Sequence, residues 1–253
     1  MLEFYRFKCF EKQSDLLHAV SNKSTEHPYG FSLALHTGER EQEIIKNRAL
    51  IAKHLGTNSA LHFIVANQTH SDHIKIITAQ ETKGWEGIDD AIEDCDALIT
   101  QEKNVILTIL TADCVPILLY DPKHKVVAAV HAGWKGTKAK IVSKTVKKMQ
   151  DTFGSKAENI LAGIAPSIGA CCYEVGEEVA RHFFDTPEGF RKKGDKYMLD
   201  LPHINKYQLL QAGLEEKNIE MSDICTACEV ESYFSYRKEQ GCTGRFMSMI
   251  GMV

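Results

Sequence analysis

The sequence predicts a mixed α+β fold in a single domain spanning residues 1–253. Three observations predict it. Residues 105–110, 115–120 and 126–130 are short runs rich in Val and Ile, which suit buried strands better than helices. Two longer segments, 41–55 and 137–153, repeat apolar residues at helical spacing. No internal repeat, low-complexity tract or linker divides the chain, so these elements share one mixed domain.

Taken in order, residues 31–36 alternate in strand fashion. The helix over 41–55 places Ile44, Ile45, Ile51, Ala52 and Leu55 at helical spacing and ends near Gly56. Residues 62–66 form a strand that delivers Gln68 and His70 at its end, and 74–78 form another. Residues 83–96 are acidic and contain glycine, so they read as a surface loop leading into a strand over 96–100. The two apolar runs at 105–110 and 115–120 follow, then a turn at Asp121-Pro122 and a strand over 126–130. The helix over 137–153 carries Ile141, Val142, Val146 and Met149 on one stripe, with most lysines opposite and Gly154 closing it. Residues 159–164 form a strand, 174–184 and 203–214 form helices, and 224–228 and 246–249 form the last strands.

Bulk properties exclude several classes. The chain is 43% hydrophobic and 25% charged, an ordinary globular balance that can bury a core without staples. A net charge of −4 gives no basic face for a nucleic acid, and the lysines of 135–148 read as the wet side of a helix. The first residues lack the order of a signal peptide, and no apolar stretch reaches membrane-spanning length, so a cytoplasmic location and no membrane partner are expected. The eight cysteines then read mostly as thiols.

Three segments end apolar runs with metal-grade side chains: Asn67-Gln68-Thr69-His70, Thr111-Ala112-Asp113-Cys114 and Val130-His131-Ala132-Gly133-Trp134. Two imidazoles and a thiolate are three zinc ligands, and three protein ligands leave a vertex free for chemistry. His70 and Cys114 stand 44 residues apart, and Cys114 and His131 17 apart, so convergence requires the sheet rather than a local finger. Asp113 and Asp72 are candidate carboxylates to orient the imidazoles. The bland alternatives are a core cysteine and surface histidines, and His73 competes with His70. Cys225-Thr226-Ala227-Cys228 is a CxxC without a second CxxC, and Cys171-Cys172 is too cramped to complete it, so no structural zinc is expected there. The chain lacks the HExxH, deaminase-type HxE with PCxxC, GxGxxG and Walker patterns.

Five ordered blocks resemble a known family: Gln68-Thr69-His70-Ser71; Thr111-Ala112-Asp113-Cys114-Val115-Pro116-Ile117; His131-Ala132-Gly133-Trp134-Lys135-Gly136; residues 164–175; and Phe234-Ser235-Tyr236-Arg237 followed by Thr243-Gly244-Arg245. They are similar to the signature blocks of the laccase-domain family, also called multicopper polyphenol oxidases, whose members are now described as purine nucleoside phosphorylases. The resemblance implies one zinc on His70, Cys114 and His131. It implies phosphorolysis of adenosine, inosine and methylthioadenosine, and deamination of adenosine. It also implies a layered sheet sandwich flanked by helices, likened to the catalytic fold of cytotoxic necrotising factors. Lys135 stands where arginine is common in the family and Ala170 where proline is common. A lysine there acts as a point charge rather than a two-pronged clamp.

Such chemistry assigns roles to candidate residues. The partners are a nucleoside and phosphate, acting on a chain expected to be a monomer. Arg48 and Lys135 are candidates to hold phosphate, with the helix start near Gly136-Thr137 adding amides. Phe31, Tyr236 and Trp134 are candidates to stack a purine. Deamination needs an activated water, which zinc supplies by lowering its pKa to about 7, and a carboxylate to move the proton: Asp113, with Glu174 behind it. Asp113 reads equally as a buried structural hydrogen-bonder. The rivals are a copper polyphenol oxidase, a cysteine hydrolase with Cys114 as nucleophile and His131 as base, and a non-enzymatic binding module. Metal analysis, chelator sensitivity and phosphate-dependent turnover discriminate them.

Overall fold

The computed structural model describes residues 2–56 and 60–253. The strands are, in chain order, β1 (Phe4–Tyr5), β2 (Leu16–Ser21), β3 (His62–Val65), β4 (Ile74–Ile77), β5 (Ala97–Thr100), β6 (Val105–Thr111), β7 (Val115–Asp121), β8 (Val126–Ala132), β9 (Leu161–Ile164), β10 (Glu174–Val175), β11 (Phe190–Lys193), β12 (Lys196–Leu199), β13 (Ile219–Met221) and β14 (Phe246–Met252). The α-helices are α1 (Glu41–Leu55), α2 (Trp134–Lys138), α3 (Ile141–Phe153), α4 (Glu177–Ala180) and α5 (Leu201–Gln211).

Two mixed sheets carry the architecture, one ordered β1-β2-β14-β6-β3 and the other β13-β9-β7-β8-β5-β4; a small β10-β12-β11 sheet stands apart. Every residue of β6, β7, β8 and β14 is buried, which explains their continuous apolar sequence. Alternation within them sorts side chains between layers. Leu107, Ile109, Phe246 and Ile250 of the first sheet share a core with Leu98, Leu118, Tyr120, Val127 and Ala129 of the second. On the outer face of the first sheet, Ile106, Leu110, Met247 and Met249 pack with Ile51 and Leu55 of α1. On the outer face of the second, Ile117, Leu119, Ala128 and Val130 pack with Ile141, Val142, Val146 and Met149 of α3, and with Ile204 and Leu209 of α5. The molecule is thus helix, sheet, sheet, helix: the mixed α+β sandwich that was expected.

Several elements differ from the sequence reading. Residues 32–36 are irregular, because Pro28–Phe31 forms a 3-10 turn with Tyr29, Gly30 and Phe31 at positive φ. The helix expected over 137–153 is two helices, broken where Lys140 adopts a left-handed conformation (φ 60°). That break lets α2 leave the end of β8 while α3 lies along the sheet. The segment 174–184 is β10, one turn of α4 and a 3-10 turn, not one helix. Residues 224–228 form a turn with a single bridge from Cys225 to Ser167. The 83–96 loop is not wholly superficial: Trp85 is buried and stacks on Phe63 at 4.0 Å, and Cys95 and Asp96 are fully buried. β1, β2, β11, β12 and β13 lie outside the elements that the sequence pattern predicts.

Candidate metal centre and its cavity

His70, Cys114 and His131 come together, with their ligand atoms all within 4.8 Å of one another. Each is delivered by an adjacent element end. His131 lies in β8 opposite Pro116 of β7, Cys114 precedes β7, and His70 follows β3. Gln68 pins the His70 loop to β6: its Nε2 donates to the Leu110 carbonyl (2.9 Å) and its Oε1 accepts from the Leu110 N–H (2.8 Å). Gly133 leaves the room the ligands occupy. A Cβ there would stand 3.0 Å from both Cys114 Sγ and His70 Cδ2.

Asp96 organises the centre. Its carboxylate accepts from the backbone N–H of Thr69 (3.2 Å), His70 (3.1 Å) and Ser71 (2.7 Å), and from the Ser71 hydroxyl (2.7 Å). These bonds hold His70 in its left-handed backbone conformation (φ 61°). The same carboxylate lies 2.7 Å from His131 Nδ1, which leaves Nε2 of that ring for the metal side. Neither candidate orienting carboxylate proposed from sequence does this. Asp72 pairs with Lys144, and Asp113 accepts from Thr226 Oγ1 (2.7 Å) and the Arg237 N–H (2.6 Å). The sequence signal for Asp96 was a carboxylate standing immediately before a fully buried strand.

The electrostatics favour ligation. Burial opposes ionisation of Cys114, but His131 and His70 outweigh it and pull the thiol down to about 6. Burial likewise opposes charge on His131, but the Cys114 thiolate and Asp96 push it up to about 9. Burial works against the Asp96 charge too, yet its bonds to His131 and Ser71 hold it well below the usual carboxylate range. The thiolate is the metal-binding form, so the sulfur is prepared for a cation at neutral pH. The donor set fits a tetrahedral, borderline-soft ion. Zinc about 2.1 Å from nitrogen and about 2.3 Å from sulfur separates the two by about 3.6 Å, and Cys114 Sγ lies 3.8 Å from His70 Nε2.

The three residues line a cavity of about 510 Å³, whose other walls include Gln68, Asp113, Tyr173, Tyr236, Arg237 and Arg245. That volume lies within the usual range for small-molecule sites. A wider groove of about 1040 Å³ joins it through His36 and Arg245, but holds none of the three ligands. Tyr236 is 56% exposed at the cavity. Arg245 lies over the Tyr236 ring (5.9 Å), and Arg237 over the Tyr173 ring (5.2 Å).

Other residues singled out from sequence stand elsewhere. Arg48 is 1% exposed; its guanidinium donates to the carbonyls of Leu33 (2.8 Å), Gly84 (2.6 Å) and Trp85 (2.7 Å), so it serves the core rather than an anion. Phe31 is buried against the α1 layer. Lys135 is exposed and lies over Trp134, which stacks on His182. Gly136 and Thr137 lie inside α2, where the Thr137 N–H donates to Gly133. Glu174 pairs with Lys193 outside the cavity. Tyr173, Arg237 and Arg245 were within the quoted blocks, but nothing in their local pattern separated cavity walls from packing.

The chain is similar to known proteins along most of its length. The chain is 35% identical over 239 residues to purine nucleoside phosphorylase YlmD of Bacillus subtilis, covering 92% of this chain and 84% of that protein. It is 32% identical over 255 residues to a purine nucleoside phosphorylase of Bacteroides thetaiotaomicron, covering 96% and 94% of the two chains. The crystal structure of YlmD from Geobacillus stearothermophilus superposes with a TM-score of 0.91 at 29% identity, over 98% of this chain and 96% of that one. The description of the multi-copper polyphenol oxidoreductase laccase family matches residues 18–253, and on that match the chain belongs to this family.

Proposed function

We propose that this protein is a zinc-dependent purine nucleoside phosphorylase acting on adenosine, inosine and methylthioadenosine, with hydrolytic deamination of adenosine as a second activity of the same cavity. The observation that carries the reading is the convergence of His70, Cys114 and His131 on a cavity that also offers two aromatic rings and two guanidinium groups. The names of the relatives support its phosphorylase part.

In phosphorolysis an oxygen of phosphate attacks ribose C1′, the bond from C1′ to the purine nitrogen breaks, and the purine leaves with that electron pair and takes up a proton. Arg237 and Arg245 take the anion-binding role first sought in Arg48 and Lys135. Arg245 is oriented by the carbonyls of Thr243 (2.9 Å) and Gly244 (2.8 Å), and Arg237 by that of Glu174 (2.7 Å). A guanidinium fixed in this way presents its remaining N–H groups as a planar fork to phosphate. Tyr236 and Tyr173 offer ring faces to the purine. Burial pushes the Tyr173 hydroxyl up to about 12, so it acts as a neutral donor. A zinc ion held by His70, Cys114 and His131 would supply a Lewis acid to this cavity. Asp113 positions this wall, since both of its oxygens are engaged by Thr226 and the Arg237 backbone; its use as a proton shuttle requires one of those bonds to yield.

Zinc is proposed over copper because, among the described residues, the other group of potential ligands is made only of cysteines. A multi-copper oxidase needs a further histidine-rich cluster. The test is incubation of metal-quantified protein with adenosine or inosine, with and without inorganic phosphate. Ribose 1-phosphate and free base should form only with phosphate, and inosine should form from adenosine without it. Absence of phosphate-dependent cleavage at full zinc occupancy would reject the reading. Copper in place of zinc together with a phenol-oxidising activity would favour the oxidase.

A further inference from the structure

Outside the cavity, the fold gathers four more cysteines. Cys171 and Cys172 lie in the turn before β10, and Cys225 and Cys228 in the turn after β13. Their sulfurs lie within 4.8 Å of one another. Cys228 Sγ is 3.5 Å from both Cys171 Sγ and Cys172 Sγ, so no single pair stands out as a disulfide. Four sulfurs about 2.3 Å from a central zinc form a tetrahedron with edges of about 3.8 Å, close to the spacing seen.

The objection from sequence was that adjacent cysteines are too cramped to serve together. The turns remove it. The N–H groups of Cys172 and Tyr173 both donate to the Gly169 carbonyl (3.0 Å each). In the facing turn, those of Cys228 and Glu229 both donate to the Cys225 carbonyl (3.1 and 2.9 Å). The two turns are held in register by Ser167 N–H to the Ile224 carbonyl (3.2 Å) and Thr226 N–H to the Ser167 carbonyl (3.1 Å). The Gly169 N–H donates to Cys225 Sγ (3.3 Å), an outer contact of the kind that steadies a ligating thiolate. Cys171 and Cys228 are exposed, which gives an ion a path in.

We propose that Cys171, Cys172, Cys225 and Cys228 bind one zinc ion as a closed four-thiolate centre that staples the 169–173 turn to the 225–229 turn. Four thiols lose their protons to solvent as four sulfur–zinc bonds form. No electron is transferred, and the centre carries two negative charges. Four protein ligands leave no open vertex, so the role is structural. The staple borders the catalytic cavity. Tyr173 follows Cys172 and lines that cavity, while Thr226, between the CxxC cysteines, donates to Asp113 beside Cys114. The proposal is independent of the nucleoside reading, because it concerns a different ion.

The test uses the full chain carrying Cys114→Ala, expressed with zinc and purified under reducing conditions, so that the first centre is disabled. Elemental analysis should give one zinc per chain, and zinc-edge X-ray absorption should show sulfur-only coordination at about 2.3 Å. Adding Cys225→Ser and Cys228→Ser should remove that zinc. Should this variant not fold, cadmium added to the Cys114→Ala chain reports the same ligands through its thiolate charge-transfer band. A Cys114→Ala chain free of zinc, one showing nitrogen in the coordination shell, one carrying iron instead, or an intact mass lighter by a disulfide among these cysteines would overturn the proposal.

Discussion

The Asp96 carboxylate reaches His131 Nδ1 at 2.7 Å while also accepting the backbone N–H of His70, so one buried side chain aims two of the three candidate metal ligands. Asp96→Asn replaces an acceptor-only group with one that must place an amide among donors. Metal affinity should fall about 10- to 100-fold, read by competition with a calibrated chelator. An unchanged dissociation constant would show that Asp96 serves only the fold.

Cys114→Ala removes the sulfur from the cluster but leaves the β6–β7 turn its backbone bonds. Nucleoside cleavage should drop about a thousandfold, near 4 kcal/mol of transition-state stabilisation, with one zinc fewer per chain and an unchanged circular dichroism spectrum. Full turnover in this variant would remove the centre from the chemistry.

Gly133→Ala tests the centre without touching a ligand. The backbone there (φ −71°, ψ 176°) suits any residue, so the fold should survive. The new methyl meets Cys114 and His70 at 3.0 Å, and one of them must give way. Metal affinity should fall about tenfold at nearly constant melting temperature; a large drop in melting temperature with normal zinc content would contradict this.

Arg48 and Arg245 should separate cleanly. Arg48→Ala strands three buried carbonyls and leaves a void, which costs about 3 kcal/mol or more of stability. Denaturant unfolding measures it, and the phosphate KM of the surviving folded protein should stay near normal. Arg245→Ala should instead raise the phosphate KM more than the nucleoside KM. Equal changes in both would take Arg245 out of the anion role.

Stability should depend on pH through His18, remote from the metal centre. Its Nε2 accepts the Phe7 N–H (2.9 Å), and burial together with the nearby Arg6 charge pulls its pKa down to about 4. Unfolded, the ring takes a proton near 6.5. Between these values the unfolded chain holds more protons, so stability falls as pH drops from about 6.5 toward about 4, by about 3 kcal/mol in all. Above pH 6.5 neither state is protonated and the contribution is flat. His18→Gln should flatten the acid limb of an unfolding-against-pH series; an identical limb would assign it to other groups.

The amino-acid sequence alone determined the elements whose burial is uniform or periodic. The helix Glu41–Leu55 and the cores of β6, β7 and β8 were legible, since a helix or strand buried on a known face must repeat apolar residues at its own period. The candidate ligands His70, Cys114 and His131 were legible as well, because each ends such a run. Short or strained pieces were not. Residues 32–36 alternate like a strand but follow a turn at positive φ, β11 carries mostly exposed basic residues, and β12 buries only its last two of four residues.

Only the tertiary structure decided which polar residues surround the ligands. Asp72 lay nearest His70 in sequence, yet Asp96, 26 residues away, makes the contact. Arg48 looked like a solvated or anion-binding charge, but three carbonyls in the core claim it. Cys171-Cys172 looked too cramped to join Cys225 and Cys228 in one site, yet two turns bring all four sulfurs together. The physical reason is common to all three. Apolar burial is written in local periodicity, whereas a hydrogen bond or a coordination bond depends on where two distant backbones cross, and no local pattern encodes that crossing.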